Sequence, residues 1–257
     1  CAIYAFMRHS DDVSDDGPVE ERPERMRLWR QEVDAALDGK GGQNPLLPAL
    51  CHTVSAYRLP HQLLHDVIDG TSMDLVTRRY ETFEELRRYC YHVAGAVGLI
   101  CLRVWGCEGI EDAAVAPAEA CGLAFQLTNI LRDIREDAAR DRIYLPAEDM
   151  ARFQVTEQSI LLGRLSPQVK ELIAFQCRRA AEYYKEALAL LPLLPASSRP
   201  TLQIMMDIYR SILEDIVRND YDVFSTRAGI SSGRKLRIVA RAWVAGKRTM
   251  RRAYAGG

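Results

Sequence analysis

Residues 124–137 read AFQLTNILRDIRED. Wound as an α-helix at ~100° per residue, they gather Gln126, Asn129, Asp133 and Asp137 into a stripe roughly 80° wide. Leu127, Ile130, Leu131 and Ile134 cover the other sides. An ordinary amphipathic helix has one wet side and one dry side. A polar stripe on a segment so apolar elsewhere points to an enclosed cavity. Two carboxylates one turn apart, with an amide a turn before them, form an oxygen donor set for a hard cation. Mg²⁺ suits it, because that ion keeps several waters and shares its shell with substrate phosphates. A lone DxxxD, however, fits a solvated face with incidental spacing better.

A second DxxxD at the start of the chain shifts that balance. In residues 2–16, AIYAFMRHSDDVSDD, a helix places Tyr4, Arg8, Asp11 and Asp15 on one face about 60° wide. Two such helices facing each other would concentrate four carboxylates around one cavity. Bare, that arrangement resists full ionisation. Bound Mg²⁺ and a diphosphate would balance the charge.

With 257 residues, 48 % of them hydrophobic, the chain is long enough to bury a sizeable core. A net charge of −1 offers no bulk basic character for nucleic acid. Seven cysteines, odd in number and without a CxxC pair, read as small buried hydrophobes in a reducing cytoplasm. No apolar run of spanning length and no signal peptide is visible. The chain begins at Cys1, inside a helical pattern and without an initiator Met, so upstream sequence is expected.

Helical periodicity dominates, and no alternating strand stands out. Helices are expected over 2–15, Glu24–Leu37, 46–57, 60–76, Phe83–Trp105, Glu119–Asp137, Pro167–Leu191, Arg199–Asn219 and Ser232–Arg252. Breaks fall at Asp16–Pro23, at 41–45 and at Arg140–Pro146. Ala94, Gly95, Ala96 and Gly98 form a small-residue patch inside the fifth helix. Gly there costs ~1 kcal/mol against Ala, so the patch predicts close approach of a helix or a ligand. Without a linker or a repeat, the expectation is one all-α domain over 1–257, a helical bundle around a central cavity.

YAFMRHSDDVSDD (4–16), YCYHVAGAVG (89–98) and QLTNILRDIREDAARDRIYLP (126–146) resemble the signature segments of the squalene/phytoene synthase family. The likeness extends to IYRSILEDIVRNDYDVFSTRAG (208–229), covering nearly the whole chain. It implies an isoprenoid-synthase fold and head-to-head joining of two prenyl diphosphates, farnesyl or geranylgeranyl. The family's N-terminal helix, with its Ser-rich diphosphate-binding segment, has no counterpart here.

Carried over by position, the resemblance makes Asp11 and Asp15 one metal-binding pair and Asp133 and Asp137 the other, for Mg²⁺ or Mn²⁺. Gln126 and Asn129 would point into the reaction cavity, and Arg8, Arg132, Arg142, Tyr144 and Arg227 would hold diphosphates. Tyr91 matches a tyrosine implicated in handling the cationic intermediate; Tyr4 and Tyr209 match other cavity tyrosines. Taken alone, a helical tyrosine is more often a core residue with a satisfied hydroxyl. Asp66, Asp69 and Asp74 are expected to cap helices or pair with arginines such as Arg78 and Arg79. The implied product is a cyclopropyl diphosphate, then squalene by NADPH reduction or phytoene or dehydrosqualene by proton loss. No GxGxxG follows a strand, so NADPH use is not assigned.

Two other readings compete: a non-catalytic relative serving as an interaction module, and another Mg²⁺-dependent prenyl-diphosphate enzyme, elongating or cyclising. The four intact carboxylates oppose the first, and the QLTNILRDxxED wording opposes the second. The segment Arg234–Arg252 interleaves eight basic residues with Trp243 and aliphatic ones. It suits peripheral docking on an anionic membrane; a terminal helix with a solvated basic side is the blander reading.

Overall fold

The computed structural model describes residues 1–107, 111–234 and 236–239. Among these, every regular element is helical. The chain runs α1 (Ala2–Asp15), α2 (Arg22–Leu37), α3 (Leu47–Tyr57), α4 (His61–Val76), α5 (Phe83–Cys90), a π-helical turn (Tyr91–Gly95) and α6 (Ala96–Trp105). It continues through α7 (Glu111–Ala138), α8 (Ala147–Arg152), α9 (Glu157–Leu161), α10 (Pro167–Ala187), α11 (Leu190–Leu193) and α12 (Arg199–Arg218). The all-α helical architecture is as expected.

Local chemistry sets several boundaries. Thr82 caps α5 by accepting the Glu85 N–H at 3.2 Å, and Ser166 caps α10 by accepting the Val169 N–H at 3.2 Å, just before Pro167. Each such cap is worth ~1 kcal/mol.

Two differences from the sequence reading matter. The central helix opens at Glu111, eight residues before the expected Glu119, and carries Pro117 inside it. An internal proline removes one N–H and costs ~3 kcal/mol. Ala114 and Ala118 on either side are buried, and packing of this segment carries the helix through the local break. The expected helix Phe83–Trp105 is continuous but contains the π turn, where the Ala96 N–H reaches back five residues to the Tyr91 carbonyl.

Two apolar clusters hold the bundle. The larger surrounds α7 and takes in α5, α10 and α12; Leu127, Ile130, Leu131 and Ile134 are all buried in it, at ~1.5–3 kcal/mol per side chain. The smaller joins α1 to α4 with Ala96 and Ile100. The small-residue patch does what its composition predicts. A Cβ on Gly122 of α7 would lie 2.6 Å from the Ala94 carbonyl oxygen, and one on Gly98 would lie 3.0 Å from that of Ala118. Helix α7 therefore packs backbone to backbone on the π turn and α6. Most of the basic tail, residues 235 and 240–252, lies outside the described residues.

Candidate active site

Between the two clusters lie two adjoining cavities. The outer, about 440 Å³, is lined by Tyr4, Arg8 and Asp11 of α1, Thr71 and Asp74 of α4, and Tyr89. The inner, about 230 Å³, has walls of Gly98, Cys101, Trp105, Phe125, Asn129 and Tyr209, among others. Val93, Val97 and Gln126 belong to both, so a polar mouth opens onto an apolar chamber. On α7, Gln126 and Asn129 line these cavities, while Asp133 and Asp137 lie one and two turns further along and line neither.

Asp133 is the paired carboxylate. It accepts from Arg132 Nε at 2.8 Å and from Arg227 Nε at 2.9 Å and Nη2 at 2.6 Å. Burial raises its pKa, but the two arginines outweigh burial and hold it below the usual value. Asp137 is pushed up to about 7, first by burial and then by the charge of Asp133, with Arg142 and Arg140 pulling it back. Asp11 is also raised, by burial and then by Asp15, against Arg8. Asp11, Asp15 and Asp137 accept no side-chain hydrogen bond from the described residues.

Among the described residues, no three His, Cys, Asp or Glu side chains converge on one point. A cation would therefore be held by carboxylate pairs, with diphosphate oxygens and water completing its shell, which is how Mg²⁺ is commonly bound. The donor set fits: all-oxygen, and short of positive charge at Asp11 and Asp137.

Other expected residues fall as follows. Tyr4 lines the mouth and is exposed, and Arg8 pairs with Asp12 at 2.8 Å. Tyr209 stacks on Phe125 with ring centroids 4.5 Å apart. Asn129 Nδ2 donates to Gln126 Oε1 at 3.4 Å, while its own buried Oδ1 has no hydrogen-bond partner. Tyr91 lines neither cavity; its hydroxyl donates to Asp66 at 3.0 Å, and burial and that carboxylate push it up to about 12. Tyr144 is buried and donates to Asp74 Oδ1 at 2.8 Å, and Arg142 Nη2 donates to the Asp74 carbonyl at 3.0 Å.

Of Asp66, Asp69 and Asp74, Asp69 pairs with an arginine as expected, but with Arg30 and not with Arg78 or Arg79. Arg79 bonds Asp141 and Glu157, both at 2.8 Å. Asp74 was missed as a site residue, as was Tyr89, which donates to Asp74 Oδ2 at 3.1 Å. The available signal was Val67, Thr71 and Asp74 at i, i+4 and i+7, one face of α4 ending in a carboxylate.

An all-helical bundle with Asp11 and Asp74 lining a polar cavity beside an apolar chamber suits a prenyl-diphosphate enzyme. A profile of the family described as squalene/phytoene synthase matches residues 1–234. A phytoene synthase of Arthrospira platensis is 38% identical over 251 residues, covering 91% of this chain and 80% of the relative. A 15-cis-phytoene synthase of Synechococcus elongatus is 37% identical, with 91% and 80% covered. A dehydrosqualene synthase crystal structure superposes with a TM-score of 0.86 at 30% identity, over 96% of this chain and 86% of that one. A squalene synthase from Alicyclobacillus acidocaldarius gives 0.80 at 30% identity, over 86% and 82%. The chain belongs to the squalene/phytoene synthase family and is a prenyltransferase of the head-to-head condensing class.

Proposed function

We propose that this enzyme condenses two geranylgeranyl diphosphates through a cyclopropyl diphosphate and releases phytoene. The observation that supports the reading is a cavity lined by Asp11 and Asp74 that shares Val93, Val97 and Gln126 with an apolar chamber, in a chain similar to phytoene synthases; Asp15, Asp133 and Asp137 complete the two acidic pairs.

Mg²⁺ bound by these carboxylates would supply Lewis-acid stabilisation of the departing diphosphate. Arg8 at the cavity wall, Arg142 on the Asp74 carbonyl, and Arg132 and Arg227 on Asp133 would neutralise the diphosphate oxygens. Arg132 and Arg227 already bond Asp133, so they hold that carboxylate ionised, ready for a cation. The chamber walls, with Phe125, Trp105 and Leu202, exclude water from an allylic cation. The ring faces of Tyr209 and Phe125 stabilise positive charge by ~0.5–2 kcal/mol each. Formation of phytoene ends in proton loss and needs no reductant, so NADPH is not required.

No helix among the described residues is long and apolar enough to cross a membrane. A cytoplasmic enzyme with peripheral membrane contact through its basic C-terminal segment would release the hydrocarbon into lipid.

The test is product analysis after incubation with farnesyl or geranylgeranyl diphosphate and Mg²⁺, with and without NADPH. Phytoene from geranylgeranyl diphosphate, independent of NADPH, is expected. A C30 product from farnesyl diphosphate alone would overturn the chain length, and elongated or cyclised diphosphates would overturn the reaction.

A further inference from the structure

Asp74 sits in the last turns of α4 and lines the outer cavity with Asp11 and Tyr89. Both of its carboxylate oxygens are taken, Oδ1 by the Tyr144 hydroxyl at 2.8 Å and Oδ2 by the Tyr89 hydroxyl at 3.1 Å. Its carbonyl accepts Arg142 Nη2 at 3.0 Å. These bonds join segments 15, 70 and 68 residues apart in sequence. The rings they tie down stack, Tyr89 on Tyr144 at 5.2 Å and Tyr80 on Tyr144 at 5.8 Å.

The donors at this clamp divide unequally. A phenol has one O–H, and Tyr144 gives it to Asp74, so none remains for a diphosphate oxygen. Arg142 has five N–H donors and commits one to the Asp74 carbonyl. That contact sets the guanidinium beside a residue that lines the outer cavity with Asp11.

We infer that Asp74 is a positioning residue of the prenyl-diphosphate site, clamping the 142–144 segment so that Arg142 is held beside Asp74 at the outer cavity. The inference rests on the reading given under Proposed function and assigns Tyr144 to the clamp. Arg142 is left as the group of this segment that meets the diphosphate.

The experiment compares Asp74→Asn, Arg142→Gln and their double variant with the wild-type chain, in steady-state kinetics with geranylgeranyl diphosphate and Mg²⁺. Asn keeps the size of Asp but loses the charge and cannot accept from both phenols. KM is expected to rise roughly tenfold in Asp74→Asn, the scale on which a misplaced binding group acts. The double variant is expected to be no worse than Arg142→Gln alone, since Asp74 acts through Arg142. A merely structural Asp74 would instead lower kcat by reducing the active fraction, leave KM unchanged and add its loss to that of Arg142→Gln. Either result overturns the inference. If Asp74→Asn does not fold by circular dichroism, Tyr144→Phe releases the same clamp from the other side, and an unchanged KM there overturns it equally. A wild-type chain inactive with every prenyl diphosphate would refute the functional reading instead.

Discussion

Arg227 reaches Asp133 across 94 residues of sequence and places Nε and Nη2 at 2.9 and 2.6 Å from the same carboxylate oxygen. Its Nε also lies 3.3 Å from Glu136. The guanidinium is half-exposed, 56% by side chain, so under the proposed function these bonds would exchange for a diphosphate at small cost. One arginine thus holds Asp133 ionised, and in the proposed reaction the same group would meet the substrate.

The carboxylates of this mouth are expected to be required for turnover and dispensable for folding. Asp11→Ala and Asp133→Ala each remove an oxygen donor and leave the buried stripe of α1 or α7 untouched. Product formation should fall by ~10²-fold or more, on the scale of losing one electrostatic contact to developing charge. Circular dichroism should match wild type. Near-wild-type turnover at limiting Mg²⁺ would remove either residue from the metal site.

Asp137 gives a pH signature. Its folded pKa, about 7, stands above the ordinary 3.8. Between those values the folded state binds more protons than the unfolded, so stability falls as pH rises through the window. In chelator-treated protein, Tm at pH 8 is expected to rise by about a few degrees in Asp137→Asn relative to wild type, with no gain at pH 3.5. Added Mg²⁺ should raise wild-type Tm at pH 8 and not that of the variant. Equal pH dependence in both proteins would contradict the assignment.

Tyr91→Phe tests the role of a hydroxyl that points away from the cavities. It leaves the buried carboxylate of Asp66 with Gln62 at 2.9 Å as its remaining bonded partner. A loss of ~1–3 kcal/mol in urea unfolding is expected, the cost of an unsatisfied buried acceptor. An unchanged midpoint would show that the bond contributes nothing net.

Gly122→Ala should be among the most damaging small substitutions in α7. The added methyl would meet the Ala94 carbonyl oxygen and the Gly95 nitrogen, backbone atoms that cannot move aside singly. Overpacking of this kind costs ~1–3 kcal/mol. Since Gly122 and Ala94 both line the inner chamber, product formation should fall with stability. A variant as stable as wild type would mean that the two helices can separate freely.

Sequence by itself determined what depends on a single helix. The 3.6-residue repeat puts Asp11 with Asp15 and Asp133 with Asp137, and the same repeat marks Leu127, Ile130, Leu131 and Ile134 as core. The small residues at 94–98 announced a close crossing because a missing Cβ is a local property. Tertiary structure decided everything set by a partner far along the chain. Pro117 is carried inside α7 by the packing of its neighbours. The π turn rests on where α4 and α7 press against it, and no residue type in Tyr91–Gly95 encodes it. Asp69 chose Arg30 over Arg78 and Arg79, and Asp74 chose two tyrosines over any arginine, because hydrogen bonds form between groups that the fold brings within 3 Å or so, whatever their separation in sequence.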